Sequence, residues 1–364
     1  MATVRQKDKD RAEQMVRSLG MDPLQLLSLD NLDNGYFFGP DDSGVIFYTL
    51  AGKRALSLGD PVCREEDLDR LIRAYIDFCE RREYRCVFNS VEQSVAEALK
   101  SVGFLVAKYG EEGILFLSEY DLSGGKKGAL RRNVAKLDKW GCTCEEYDPE
   151  QQRNPDLERE IGELQKEWLE DKKLSLTYSV GDLQFAHPCG RRYFVTRDKE
   201  GDLLTVVSFL PYRQEKGWCI DVMYRKPGGL TGAMEHTIIS AAWKLKEEGA
   251  EELSLNIAPL AGIDPSSPDA NREEKLMHAA FDSLDYGYDF KGLYRFKEKF
   301  SPSEWKPRFL VFDHRISMVQ LARSIADVKG ASDPELWMKY GKFFLSYTLT
   351  PRRYQNEQKK EDTI

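Results

Sequence analysis

Apolar residues along this chain recur at two periods, and the switch between them marks out its elements. Arg54–Pro61 (RALSLGDP) has the pattern of a short strand ending in a Gly-Asp-Pro turn. Beyond it, Leu68, Leu71, Ile72, Tyr75, Ile76 and Cys79 return at helical spacing. A strand at Arg85–Phe88, a helix around Val91–Val102 and a strand near Gly113–Phe116 are expected next. The second half follows the same order. Leu203–Leu210 and Trp218–Tyr224 read as strands, Pro227-Gly228-Gly229 as a loop, Thr231 to Glu248 as a helix and Leu253–Ile257 as a strand. A helix near Glu273–Leu284 and a strand from Leu293 close the unit, so strand, loop, helix, strand, helix, strand occurs twice. No residue-level repeat accompanies this matching order.

Between the halves, Ser123-Gly124-Gly125 marks a break before the segment GALRRNVAKLDKWG. Leu130, Val134 and Leu137 form its buried stripe, which leaves Arg131, Arg132, Lys136 and Lys139 outward, with Lys126 and Lys127 just before. Asp138 is the one acid there. Such a helix is either a solvated face or a contact for a phosphate backbone.

Lys291 to Leu310 (KGLYRFKEKFSPSEWKPRFL) gathers cations and aromatics together. From Tyr294 to Phe300 they alternate, which predicts a strand with Arg295, Lys297 and Lys299 on one face. Pro302 and Pro307 are expected to break the ladder and form a loop. Such a strand is either a solvated edge or an anion site. Trp337, Tyr340, Phe343, Phe344 and Tyr347 mark a C-terminal helix that either packs on the fold or lies in a membrane interface.

Composition narrows the possibilities. The 364 residues exceed one ordinary core, so two domains of about 150 residues are expected. The natural division is 1–122, a basic linker helix at 123–145, a second domain at 146–312, and a helical tail at 313–364. There is no apolar run long enough to span a bilayer and no signal-peptide core, so a cytoplasmic location is expected, with peripheral contact at the inner face of the membrane. Seven cysteines without a C-x-x-C pair, and four histidines without ligand spacing, point to reduced thiols and to neither a metal nor a cofactor. A net charge of −8 disfavours indiscriminate binding of nucleic acid or anionic membrane, which makes the two local basic segments more informative.

The chemistry is suggested by a strand carrying Asp221 and Arg225, then a glycine loop, then a helix opening near Thr231. Backbone N–H groups and a positive helix end there suit a phosphate or carbonyl oxygen. The arrangement resembles the acyl-donor loop of the GNAT acyltransferase fold, although Arg225 to Gly232 lacks the tight R-x-x-G-x-G spacing. Asp221 and Glu235 are the acids best placed to hold an ammonium or orient an acceptor hydroxyl. Asn256 could donate to a reacting carbonyl. Arg225, Lys291, Arg295, Lys297, Lys299 and Arg308 are candidates for phosphate or oxyanion contacts, and Arg308 offers a bidentate fork. Each also has an ordinary alternative: strand-end acid, first-turn glutamate, turn asparagine or solvated cation.

Several motifs in order resemble the cytosolic synthase domain of the phosphatidylglycerol lysyltransferase family, the multiple peptide resistance factors. They are DPLQLLSL from Asp22, GDP at Gly59–Pro61, DVMYRKPGGLTGAME from Asp221, LNIAPLAG from Leu255 and GLYRFKEKFSPSEWKPRFL from Gly292, so that roughly residues 12 to 325 are covered. The resemblance implies an α/β fold of tandem GNAT-like domains, each a mixed twisted sheet flanked by helices. It further implies transfer of an aminoacyl group from aminoacyl-tRNA to phosphatidylglycerol or a related lipid hydroxyl, with no metal or ATP at this step. Within it, Asp221, Glu235, Asn256 and Lys297 become the catalytic candidates. Arg225, Lys291, Arg295, Lys299 and Arg308 become acceptor contacts, and Lys127, Arg131, Arg132 and Lys136 become tRNA contacts. The chain departs from the family's pattern at Glu235 (commonly aspartate), at Gly292-Leu293-Tyr294-Arg295 (commonly G-L-R) and at Lys172–Gly181, which lacks a glutamate. The family's membrane domain has no counterpart here, so the anionic lipid is expected to be met peripherally. The rival expectations are transfer to a soluble peptide or small amine, as in Fem-type peptidyltransferases, and a non-catalytic module that binds tRNA or lipid.

Overall fold

Strands form where apolar and polar positions alternate, and helices where apolar residues return every three or four. The computed structural model describes residues 2–30, 34–171, 183–264, 266–267, 274–275 and 290–328. The segment Lys172–Gly181 with Tyr178, most of the expected Glu273–Leu284 helix and the aromatic tail from Pro334 lie outside the described residues. Helices α1 (Ala2–Leu19) and α2 (Leu24–Asp30) precede β1 (Gly35–Phe38), β2 (Gly44–Ala51), β3 (Arg54–Leu58) and β4 (Val62–Cys63). Next come α3 (Leu68–Arg81), β5 (Arg85–Val91), α4 (Gln93–Ser101) and β6 (Leu105–Phe116). After α5 (Gly128–Lys139) follow β7 (Thr143–Tyr147), α6 (Pro155–Asp171), β8 (Arg192–Arg197), β9 (Leu203–Tyr212) and β10 (Gly217–Arg225). The series continues with α7 (Ala233–Glu247), β11 (Glu252–Pro259), a helix at Phe290–Glu298, β12 (Glu304–Phe312) and a helix at Met318–Val328.

These strands join in one mixed sheet ordered β1-β2-β3-β5-β12-β6-β11-β10-β9-β8-β7, with β4 on β2. The duplication expected from the element order is visible in the pairing. In β1-β2-β3-β5-β12 the successive contacts are antiparallel, antiparallel, parallel and antiparallel. In β8-β9-β10-β11-β6 they are the same. The closing strands are exchanged: β6, from the first half of the sequence, completes the second set, and β12, from the second half, completes the first. They lie antiparallel to each other at the centre of the sheet. The proposed division at 1–122 and 146–312 therefore follows the chain, while the sheet interleaves the two units.

Two expectations about the basic-aromatic segment are corrected. Residues Phe290–Glu298 form a helix, not a strand. Leu293, Phe296 and Phe300 return at helical spacing, and Phe296 and Phe300 pack against the core beneath α7. At about 100° per residue Arg295 and Lys297 point to nearly opposite sides, so they share no face. Pro307 does not interrupt β12 but pairs with Glu111 of β6. On its other side β5 meets β12 only from Phe309 to Phe312, so the missing N–H falls where no strand asks for it.

Alternate strand residues supply the two faces. Ile46, Cys86 and Phe88 pack under α3 and α4, while Leu115, Phe209 and Ile220 pack under α7 and α5. The opposite face carries α1 with α2, α6 and the helix Met318–Val328. In α7, Ile238, Ile239, Ala241, Ala242 and Leu245 have no measurable exposure, and each large side chain among them contributes about 1.5–3 kcal/mol on burial. That helix is thereby fixed as the platform of the second half. No helix among the described residues is long and apolar enough to cross a membrane.

Candidate active site

The parallel pair β10–β11 is where the second half opens. Its ladder runs from Gly217–Glu252 to Cys219–Ser254 and stops, although both strands continue. On their outer sides the registers of β10 with β9 and of β11 with β6 shift at the same level, after Ile220 and Ser254. The bend in β11 is made by Asn256, whose φ is +64°, a conformation asparagine tolerates better than most residues. Its amide Nδ2 donates to the Ile220 carbonyl at 2.9 Å, and Ile257 N–H donates to its Oδ1 at 2.6 Å. A side chain thus bridges the gap that the backbone ladder leaves.

Lys297 enters this gap from the helix Phe290–Glu298. It is 3% exposed, and its Nζ donates to the Asn256 carbonyl at 3.0 Å and to the Ile257 carbonyl. Burial away from water lowers its pKa to about 7, against the smaller opposing pull of Cys219 and Glu112. A neutral amine has two N–H groups and one lone pair. Two carbonyls take the two N–H groups, which leaves the lone pair to accept a proton.

The remaining catalytic candidates sit on β10 and on α7. Asp221 of β10 is buried and accepts from Arg191 Nε at 3.2 Å, with Ser208 Oγ at 3.5 Å. Glu235, in the first turn of α7, is 5% exposed and accepts from Lys299 Nζ at 3.1 Å. The structure thus gathers Asn256 and Lys297 at the ladder's end with Asp221 one residue past Ile220, and joins Glu235 to Lys299. Arg225 is exposed at the far end of β10, and Lys291 and Arg295 are exposed on the helix Phe290–Glu298. These three are not drawn into the gap.

Arg308 has a different place. It is 2% exposed, with Nε donating to Glu112 Oε2 at 2.7 Å, Nη1 to Asp22 Oδ2 at 3.2 Å, and Nη2 to Glu112 as well. Its fork, expected to meet an acceptor phosphate, is occupied by carboxylates of this chain. Burial would raise the Glu112 pKa, but Arg308 and Ser254 outweigh it and hold it below the ordinary value. Burial pushes Asp22 up and Asp60 well up, so the nearby acids do not all ionise together. Asp22 Oδ2 also accepts from Asp60 N–H, and Asp60 Oδ1 from Glu92 N–H, each at 2.9 Å. Gly59, at φ +73°, is required here because a Cβ would lie 2.7 Å from Leu24 and 2.9 Å from Asp22 Oδ2.

Of the basic-helix candidates, Lys127 donates to the Asp121 carbonyl at 2.7 Å and Arg131 to those of Leu122 and Gly124. Arg132 and Lys136 are exposed. Arg191, Glu112, Asp22 and Asp60 were not anticipated as site residues. Arg308 and Glu112 are 196 positions apart, and no local spacing advertises such a pair. The sign in the sequence was weak, because Glu112 lies in a strand that also carries Lys108 and Glu111.

Comparison with known proteins bears on this arrangement. Residues 26–312 match the family model for the C-terminal region of phosphatidylglycerol lysyltransferase. The phosphatidylglycerol lysyltransferase of Staphylococcus epidermidis is 25% identical over 286 residues, covering 79% of this chain and 34% of that protein. The chain thus spans about a third of the length of the curated relatives it matches. The solved structure of L-PGS from Bacillus licheniformis superposes with a TM-score of 0.75 at 24% identity, covering 88% of this chain and 95% of that one. FemX superposes with a TM-score of 0.52 at 12% identity, covering 83% and 95%. Both support the fold, a large mixed sheet of tandem GNAT-like units flanked by helices.

Proposed function

This chain belongs to the phosphatidylglycerol lysyltransferase C-terminal family, and from that premise we propose that it transfers an aminoacyl group, lysyl above others, from aminoacyl-tRNA to a glycerol hydroxyl of phosphatidylglycerol. The observation that carries the proposal is the buried amine of Lys297 at the end of the β10–β11 ladder, its pKa lowered to about 7 by burial and its Nζ donating to two backbone carbonyls. The aminoacyl ester is already activated, so the step needs a base for the acceptor hydroxyl and donors for the oxyanion. Lys297 takes the hydroxyl proton as that oxygen attacks the ester carbonyl. The tetrahedral intermediate then collapses, the carbon–oxygen bond to the ribose breaks, and the departing ribose oxygen takes the proton back from Lys297. In this scheme Asp221 positions the strand through Arg191, and Glu235 with Lys299 flanks the aminoacyl group.

The test is direct. Purified chain, lysyl-tRNA and phosphatidylglycerol vesicles should yield labelled lysyl lipid, and Lys297→Met should lower kcat by about 10²–10⁴-fold, the usual contribution of a general base. Absence of lipid product with every aminoacyl-tRNA tried would refute the lipid assignment.

A further inference from the structure

Glu112 stands on β6, the strand that the first half of the sequence lends to the second half of the sheet, and its carboxylate faces two ways. Oε2 takes Nε and Nη2 of Arg308. Oε1 accepts from the Ser254 hydroxyl on β11. Glu112 is 3% exposed and Ser254 has no measurable exposure, so both groups lie away from bulk water.

A serine hydroxyl has one proton and two lone pairs. With its proton given to Glu112, Ser254 Oγ turns a lone pair to the Asn256 N–H, which donates to it at 2.9 Å. That bond fixes the near side of the bend at Asn256, and the carbonyl of the same residue receives Lys297 Nζ at 3.0 Å. Arg308, Glu112, Ser254, Asn256 and Lys297 thus form one continuous series of contacts, from the charge cluster of the first half to the β10–β11 gap.

The charge of Glu112 reaches the gap as well. Cys219 and Glu112 are the groups that favour the protonated Lys297 amine against the larger effect of burial. Burial pushes the Cys219 thiol well above its ordinary range, so it is neutral near pH 7 and Glu112 is the anion of the two. Glu112 is itself reached by Arg308 and Lys306 of β12, Asp22 before α2, Tyr212 of β9 and Cys219 of β10. Against its burial, Arg308, Ser254 and Lys306 hold it ionised.

We propose that Glu112 is the positioning residue for Lys297: through Ser254 it seats the Asn256 bend that receives the amine, and its carboxylate is the anion that the buried amine feels. This rests on Lys297 being the base of the transfer. A merely structural role, tying β6 to β11 and β12, would cost stability and leave the titration of Lys297 where it is.

The experiment follows Lys297 by NMR of protein carrying isotope-labelled lysine, its Cε resonance assigned by its loss in Lys297→Met, with lysyl transfer to phosphatidylglycerol vesicles measured in parallel. Glu112→Gln keeps an acceptor for Ser254 and removes the charge. Loss of an anion disfavours the protonated amine, so the Lys297 midpoint should fall below its wild-type value of about 7, and the ascending limb of kcat/KM should move to lower pH with it. Ser254→Ala keeps the charge and removes the link. It should lower kcat by about 10–100-fold, the cost of a misplaced reacting group, with the limb in place and most of the loss restored by Ser254→Thr. Lys297 titrating in Glu112→Gln as in the wild type overturns the proposal, whether or not the chain makes lysyl lipid. A Ser254→Ala enzyme with wild-type kcat overturns it too. No lysyl lipid from the wild type, with the midpoint still lowered in Glu112→Gln, refutes the transferase reading and upholds the link between Glu112 and Lys297. Where Glu112→Gln fails to fold, the two Ser254 variants decide the matter by the same kcat readout.

Discussion

In the first half of the sheet β3 and β5 run parallel and pair without a break from Arg54–Arg85 to Leu58–Asn89, whereas in the second β10 and β11 pair over three positions and then stop. Both halves bend at the matching place: Ser90 in β5 has φ +65° and Asn256 in β11 has φ +64°. Past the bend they diverge. In the first half Gly59 N–H continues the pairing by donating to the Asn89 carbonyl at 2.9 Å, and Asp22, Asp60 and Arg308 fill the space beyond. In the second half a side-chain amide takes the place of the backbone donor, and the buried amine of Lys297 sits against the two carbonyls that follow. A duplicated frame is thus closed by a buried charge cluster in one half and, in the mechanism we propose, serves as the place for chemistry in the other.

The half closed by the charge cluster should be the more costly to disturb. Arg308→Met leaves Glu112 and Asp22 buried without their cation, and thermal or denaturant unfolding should register a loss of about 3–5 kcal/mol. Retained stability would mean that the first half is not held by this cluster. At the bend, Asn256→Ala removes the bridge to Ile220 and puts alanine at positive φ, with an expected loss of about 1–3 kcal/mol. Asn256→Gly removes only the bridge, so a smaller loss for glycine than for alanine would separate backbone strain from the hydrogen bond. Lys299→Ala should matter least to folding, at about 1 kcal/mol or less, because its half-exposed amine is screened by solvent. A larger effect in the unfolding curve would make the Glu235–Lys299 pair structural.

Much of this frame was legible in the sequence. β9, β10, β11 and α7 lie where periodicity places them, because each buries a regular apolar set. The helix at Phe290–Glu298 was hidden by the run Tyr294–Phe300, where cations fall at every second position, a run short enough to fit either period. β12 was hidden by Pro307, whose tolerance depends on β5 ending early on one side, a fact of tertiary structure. The exchange of β6 and β12 has no local signature, since strand partners are chosen across the whole chain. For the site, Asn256, Lys297 and Asp221 could be named from residue type and family likeness. Arg308 was assigned to a ligand because its partners Glu112 and Asp22 are remote in sequence.

Lys297 also ties stability to pH. The unfolded lysine holds its proton up to about 10.4, while the folded one releases it at about 7. Its destabilising contribution is therefore full below the folded value and fades as pH rises towards the unfolded one. In the mechanism we propose the same titration governs the chemistry, because only the neutral amine can accept the hydroxyl proton. The most direct test is the pH dependence of kcat/KM for lysyl transfer to phosphatidylglycerol across the neutral range. The expected result is an ascending limb centred at about 7, absent from the residual activity of Lys297→Met. A flat wild-type profile through neutrality, or a Lys297→Met enzyme with wild-type turnover, would contradict the assignment of the open half as the catalytic one.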